Sequence, residues 1–333
     1  MTNNSMNLAK TSSFSISSPR VSTASPKFLR THAPSRRLSI LPIEVVDNIL
    51  QYLTQIELIS LLSTNKFFYA ISARRVYHTI SIHSAFRSLI FFQTALNNPT
   101  IPPLVRSLDI DISSSNLLQA FYRLFQKVLQ RLPSLVALFL DFPECHSTLW
   151  ILHGCTFSLK TFTTSMHFNL PLAQFLDTQP SITELTLRGF QNDSSSILPL
   201  LSSSDNDTTK EESFKLEPTS LPKLTRFSVI HAGPAVIRAI VENRPVEVVS
   251  IPLFPFLSMD SLLALKYSSV PMRRLSLISF DPEAPKFLFQ VLSEGFTQLE
   301  ALHIVFLMTD YTKVCQCFRY LNFTFSSVFL MFS

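Results

Sequence analysis

A short apolar pattern that keeps returning constrains the fold of this chain most: an apolar residue, two others, a second apolar residue, one other, a third. It occurs at Val105, Leu108, Ile110; Leu135, Leu138, Leu140; Ile182, Leu185, Leu187; Leu224, Phe227, Val229; Val246, Val249, Ile251; Met272, Leu275, Leu277; and Leu299, Leu302, Ile304. A weaker copy at Leu159, Phe162 and Thr164 fills the gap after the second, and Phe318, Leu321 and Phe323 read as the start of another. Between middle residues the steps are 30, 24, 23, 42, 22, 26 and 27, close to the roughly 20–30 residues of stacked strand-and-helix units apart from one long gap. Each copy ends on the two-residue period of a strand. Helical spacing fills the intervals: Asn116 to Arg131 carries Leu117, Phe121, Leu124 and Val128, with Leu132 next in the series, and Pro234 to Asn243 opens on a first-turn proline. Asp281 and Pro282 read as the cap and first turn of a helix ending near Ser293 and closed by Gly295. A single strand and helix cannot bury their apolar faces, whereas a stack of them can. The expected fold is therefore an α/β solenoid with parallel strands on its concave side and helices on its convex side.

The step of 42 holds Gln191 to Ser220, where six acidic residues face two lysines amid Ser, Asn and Thr. Ser196 to Leu201 reads as that repeat's helix, and 202–219 as an inserted acidic loop. Such a loop suits a basic target; the other reading is a tolerated insertion without a role. The expected organisation is a disordered, basic, Ser-rich tail at 1–37, a small module at 38–84 and the solenoid at 85–333. The stretch from Met1 to Ile40 has six basic and no acidic residues, and Pro19, Pro26 and Pro34 break the amphipathic helix that a mitochondrial presequence would need. At the other end, Val314 to Ser333 is Phe-rich and lacks the polar cap that a solenoid needs, so an incomplete version of a longer protein is expected.

Composition removes several classes. An apolar share of 46% against 15% charged residues is rich enough to fold. The net charge of +5 resides in the tail: beyond it 22 basic residues face 23 acidic ones, so the clustered charge that binds nucleic acid is not expected. No run reaches the roughly 18 apolar residues of a membrane span. Four scattered cysteines without a secretory signal suit a reducing compartment, cytoplasmic or nuclear. The four glycines, Gly154, Gly189, Gly233 and Gly295, stand too far apart for a phosphate-cradling loop, and neither G-x-S-x-G nor H-E-x-x-H occurs. Cys145, His146, His153 and Cys155 lie close together with zinc-compatible chemistry, but their spacing matches no standard finger, and they read better as the edge of a repeat around Trp150. No catalytic residue, metal or cofactor is expected.

The segment ahead of the repeats runs LPIEVVDNILQYLTQIELISLLSTNKFFYAISARRVYHTI from Leu41 to Ile80. Pro42 followed by Val45, Val46, Ile49, Leu50 and Leu53 gives a short amphipathic helix; a second carries Leu58, Leu61 and Leu62, a third Phe67, Phe68 and Ile71. Polar breaks fall at Thr54 and Gln55 and at Ser63 to Lys66. Three helices in about forty residues are marginal alone and want a partner surface. In order and spacing, Leu41, Pro42, Glu44, Val45, Ile49, Leu50, Leu53, Leu58, Leu61, Phe67, Phe68 and Ala70 resemble the F-box motif, and Arg74 to His78 resemble its fungal ending, with Tyr77 where a tryptophan is often found. The resemblance implies that Leu41, Pro42, Glu44, Val45, Ile49, Leu50, Leu53, Leu58, Leu61, Phe67 and Phe68 dock on a Skp-type adaptor, and through it a cullin. The repeats resemble the leucine-rich repeats that follow many F-boxes, which implies an unnamed protein substrate. They depart from that family after the strands, where Pro143, Phe190, Phe280 and Leu307 replace the usual Asn or Cys. A substrate adaptor without catalysis of its own is the expected function; the alternative is an interaction scaffold with no link to ubiquitin.

Overall fold

The computed structural model of the chain describes residues 41–112, 117–142, 148–190, 214–307 and 327–332. It forms two compact units, residues to Val46 and residues from Asp47 on, divided within the first helix. The described part of the first unit is Leu41, Pro42 and the opening of α1 (Ile43–Leu50), where the N–H groups of Val45 and Val46 both donate to the Pro42 carbonyl. Proline suits a helix start, where the leading N–H groups have no helical partner.

In the second unit the polar breaks of the sequence turn out to be helix caps. α2 (Gln55–Leu62) opens on a reciprocal pair: the Glu57 N–H donates to Thr54 Oγ1 at 3.4 Å, and the Thr54 N–H donates to the Glu57 carboxylate at 2.7 Å. α3 (Lys66–Val76) opens on Asn65, whose Oδ1 accepts the Phe68 N–H at 2.9 Å. Arg75 on α3 reaches back to Asp47, with Nε and Nη2 on its two carboxylate oxygens at 2.9 and 2.8 Å. The bidentate fork fixes the angle of α3 more firmly than a single bond would.

α3 leads directly into a ten-stranded parallel sheet in which every strand pairs with the next in the chain. The strands are β1 (Thr79–Ile82), β2 (Ser107–Asp111), β3 (Ala137–Asp141), β4 (Thr161–Thr164), β5 (Glu184–Phe190), β6 (Arg226–His231), β7 (Val248–Leu253), β8 (Arg274–Ser279), β9 (Ala301–Phe306) and β10 (Ser327–Phe332). The connecting helices are α4 (Ala85–Asn97), α5 (Gln119–Leu129), α6 (Leu170–Asp177), α7 (Pro234–Val241), α8 (Ser258–Leu265) and α9 (Ala284–Gly295). Parallel crossovers share one hand, so a sheet ordered by sequence carries its helices on one face. That is a repeat solenoid.

Register is the sharpest agreement with the sequence pattern. The middle residues of successive copies stand on one row, Leu108 beside Leu138, then Phe162, Leu185, Phe227, Val249, Leu275 and Leu302. All are buried, and a one-residue slip would turn an entire strand to the wrong face. The 42-residue step leaves the row intact at Leu185 and Phe227. Ile80 and Val328 extend it at either end. β1 therefore obeys the same pattern, through Tyr77, Ile80 and Ile82, although these residues close the hook in the sequence. The copy expected at Phe318, Leu321 and Phe323 lies outside the described residues, as does the helix expected at Ser196 to Leu201.

One backbone device introduces the strands. The His78 carbonyl accepts the N–H groups of both Arg106 and Ser107, the Arg106 carbonyl those of Val136 and Ala137, and the series continues through Val136, Lys160, Thr183, Thr225, Glu247 and Arg273. Without Asn or Cys after the strands, neighbouring carbonyls and a hydroxyl satisfy the turns after β3, β8 and β9. The Phe280 N–H donates to Leu253, the Leu307 N–H to Ser279, and the Phe142 N–H to Ser165 Oγ. Asp281 differs from its expected capping role: α9 begins at Ala284, while the buried Asp281 carboxylate accepts Ser258 Oγ at 2.7 Å and the Glu283 N–H at 2.9 Å, tying two repeats together. Gly295 is the last residue of α9, and an added Cβ there would press on the Lys266 side chain.

Candidate functional site

The residues read as adaptor-binding fall into two structural groups. Leu50 and Leu58 are 3% and 8% exposed and so serve the chain's own packing; Leu53, Leu61 and Phe68 are half-buried. Leu41, Pro42, Glu44 and Val45 of the first unit are exposed, as are Ile49 and Phe67 of the second. Exposure also picks out apolar residues that the sequence reading passed over: Tyr52, Ile56 and Ile59, at 82%, 78% and 51%. A run of large exposed apolar side chains on short helices marks a surface made to be covered. Ile56 and Ile59 stand three apart on α2, a spacing that could have exposed them, but the stronger leucine pattern of Leu58 and Leu61 drew the reading instead.

A family model described as a COS11 F-box domain matches residues 38–116. The chain carries an F-box. The match runs beyond the three helices through β1, α4 and β2, so the F-box is continuous with the first rungs of the sheet. Tyr77 packs against the solenoid core, where burial, with a smaller contribution from Tyr69, pushes its phenol pKa up. F-box domains generally bind Skp-type adaptors and are typically adaptors rather than enzymes. No curated protein matches the chain as a relative.

Of the cysteine and histidine cluster, Cys145 and His146 lie outside the described residues. Among the described residues no group of three or more metal-ligating side chains forms. Cys155 is half-buried, and burial pushes its thiol up to about 12, which leaves little thiolate for nucleophilic attack at neutral pH. It borders a cavity of about 720 Å³ between the Trp150 turn and α6, lined by Trp150, Phe157, Pro171 and Phe175. No helix among the described residues is long and apolar enough to cross a membrane.

The second candidate surface is the sheet face opposite the helices. In β2 and β3 buried residues alternate with half-exposed ones, so this face is not covered by another layer there. Its β2 and β3 end is acidic, with Asp109, Asp111 and Asp141. Arg188 answers part of that charge, lying 3.9 Å from Asp141 and stacked over the Phe139 ring at 4.9 Å. Of the acidic loop expected at 202–219, residues 202–213 lie outside the described residues.

Proposed function

We propose that the chain is the substrate-recognition subunit of a cullin-based ubiquitin ligase. The F-box would bury its exposed apolar side chains on a Skp-type adaptor, and the solenoid would hold a protein target on its open sheet face and edge loops. The observation that carries the reading is the exposure of Ile49, Ile56, Ile59 and Phe67 within the matched F-box. In this arrangement the buried Leu50 and Leu58 maintain the helices and the exposed set makes the contact. Chemistry belongs to the partners: holding a target lysine near the charged enzyme raises its effective concentration without an acid, base or nucleophile from this chain.

Co-expression of the full chain with the Skp-type adaptor and a cullin tests this. Recovery of both on the purified chain supports the ligase role. Recovery of the adaptor without the cullin would turn the proposal into an interaction scaffold, and recovery of neither by well-folded protein would sink it.

A further inference from the structure

Across β6, β7 and β8 the open face carries three rows of different chemistry. Strand alternation directs Arg226, Ser228 and Ile230, then Val248, Ser250 and Pro252, then Arg274, Ser276 and Ile278 to the side away from the helices, and of these Pro252 alone is buried. Register sets Arg226 beside Val248 and Val248 beside Arg274, with Ser228, Ser250 and Ser276 in line next to them. Both arginines are exposed, and among the described residues neither has a carboxylate within ion-pair distance. Together with Glu184 and the hydroxyls of Thr186, Ser228 and Ser250 they line a depression of about 240 Å³. On the far side of the serine row, Ile230 and Ile278 remain 43% and 38% exposed.

We infer that this face binds an extended peptide in which acidic and branched aliphatic residues alternate, its carboxylates held by Arg226 and Arg274. Charge complementarity selects the anion. Two guanidiniums against the Glu184 carboxylate leave the depression net positive, and because the arginines stand two strands apart each is placed to hold a carboxylate of its own rather than to share one phosphate. Geometry selects the alternation. A peptide lying along the serine row, across the strands, turns successive side chains to opposite sides. Residues two apart are separated by roughly 6.8 Å, while Arg226 and Arg274, two strands apart, have backbones separated by roughly 9.6 Å, a difference that arginine side chains can span. Small serines keep the trough open, and Ile230 and Ile278 offer apolar contact to the opposite set of side chains. The inference rests on the reading of the solenoid as the target-holding part of the chain.

The test is fluorescence anisotropy of labelled ten-residue peptides against the full chain, one alternating Val and Glu, one Val and Lys, and one Val and phosphoserine. The Val–Glu peptide is expected to bind, and Arg226→Gln with Arg274→Gln should weaken it by about tenfold or more, as should added salt. Both arginines are exposed, so the double variant should keep its far-ultraviolet circular dichroism. Equal binding of the Glu and Lys peptides, or binding unchanged in the double variant, overturns the inference; binding confined to the phosphoserine peptide overturns the carboxylate assignment. Adaptor capture, measured on the same proteins, separates the two claims. Adaptor capture without peptide binding refutes this inference alone, and peptide binding without adaptor capture refutes the ligase reading alone.

Discussion

Replacing Arg244 with Met would remove the most heavily bonded buried side chain among the described residues of the solenoid. Arg244 is 2% exposed and donates to five backbone carbonyls: Nε to Ser220 at 2.7 Å, Nη1 to Ala239, Ile240 and Glu242 at 2.6, 3.0 and 3.2 Å, and Nη2 to Glu217 at 2.9 Å. Three of these acceptors lie at the C-terminal end of α7, whose carbonyls have no helical donors and whose dipole favours a cation. The other two precede Leu221, a buried non-glycine residue held at a left-handed φ of 52°. Burial pushes the Arg244 pKa down, against the opposing charges of Asp177 and Glu242. Met preserves the stem volume, so the loss is polar. The bonds to Ser220 and Ile240 are fully buried, and each stranded acceptor costs about 1–3 kcal/mol, while the part-buried three can turn to water; the expected destabilisation is about 4 kcal/mol. Lys retains the charge but cannot reach both groups of carbonyls, and should lose about half as much. Urea unfolding of the full chain, followed by far-ultraviolet circular dichroism, measures this. With a slope of roughly 3 kcal/mol/M the midpoint of Arg244→Met should fall by roughly 1.3 M. A fall below about 0.3 M would refute the argument that this arginine clamps α7 to the segment before β6.

Two further substitutions, an acid titration and an alkylation probe other parts of the fold. Thr54→Ala removes the α2 cap and should cost about 1 kcal/mol, read as lost amide protection in α2. Thr54, through its N–H and then its hydroxyl, holds the Glu57 carboxyl below its usual 4.5, so the contribution is complete above that value and lost as pH falls through the lower folded one; α2 protection that is indifferent to acid would contradict this. Gly189→Ala drives a Cβ into the carbonyls of Ser165 and Met166 on the preceding repeat, where backbone cannot yield cheaply, so a loss of about 3 kcal/mol is expected; an unchanged melting temperature would refute it. Cys155, pushed up to about 12, should be alkylated at pH 8 about fiftyfold more slowly in the native chain than in urea, the loss of thiolate being partly offset by its greater nucleophilicity, measured on its own peptide by mass spectrometry. Equal rates would show the thiol to be open.

What the sequence revealed and what it hid have physical causes. Strand positions were legible because a two-residue period repeated at similar intervals leaves one consistent register, and Phe162 takes its place in the row although its copy ends on Thr164. β1 was missed because Tyr77, Ile80 and Ile82 also complete the hook motif, and one stretch served two patterns. The repeat helices that were named in sequence and lie among the described residues fall within a few residues of their places, α5 starting at Gln119 rather than Asn116 and α9 at Ala284 rather than beside Asp281, while α4, α6 and α8 were not named. Asp281 shows why. An aspartate before a proline has the local chemistry of a cap, but only the fold supplies the Ser258 hydroxyl that its carboxylate accepts. In the F-box, apolarity alone cannot separate residues that hold the helices from those that face outward, so Leu50 and Ile49 look alike in sequence and differ in exposure from 3% to 51%. The open face was expected, but the arginines it carries were invisible for a related reason. Arg226 and Arg274 lie 48 positions apart and come to one row, on either side of Val248, only through the register of three strands.

Calorimetric titration of the full chain with a Skp-type adaptor, beside the variant carrying Ile49→Asp and Ile59→Asp, tests the central claim most directly. Both isoleucines are half exposed, so the variant should remain folded, and Phe256→Asp, on an 88% exposed side chain in the turn after β7, serves as control. Burying the exposed half of two isoleucines is worth about 2 kcal/mol, and two buried aspartates add their own desolvation cost, so the double variant should bind at least about thirtyfold more weakly and Phe256→Asp should bind as the unaltered chain does. Equal affinity of the double variant, or no binding by well-folded unaltered chain, would contradict the assignment of the F-box as an adaptor-docking surface.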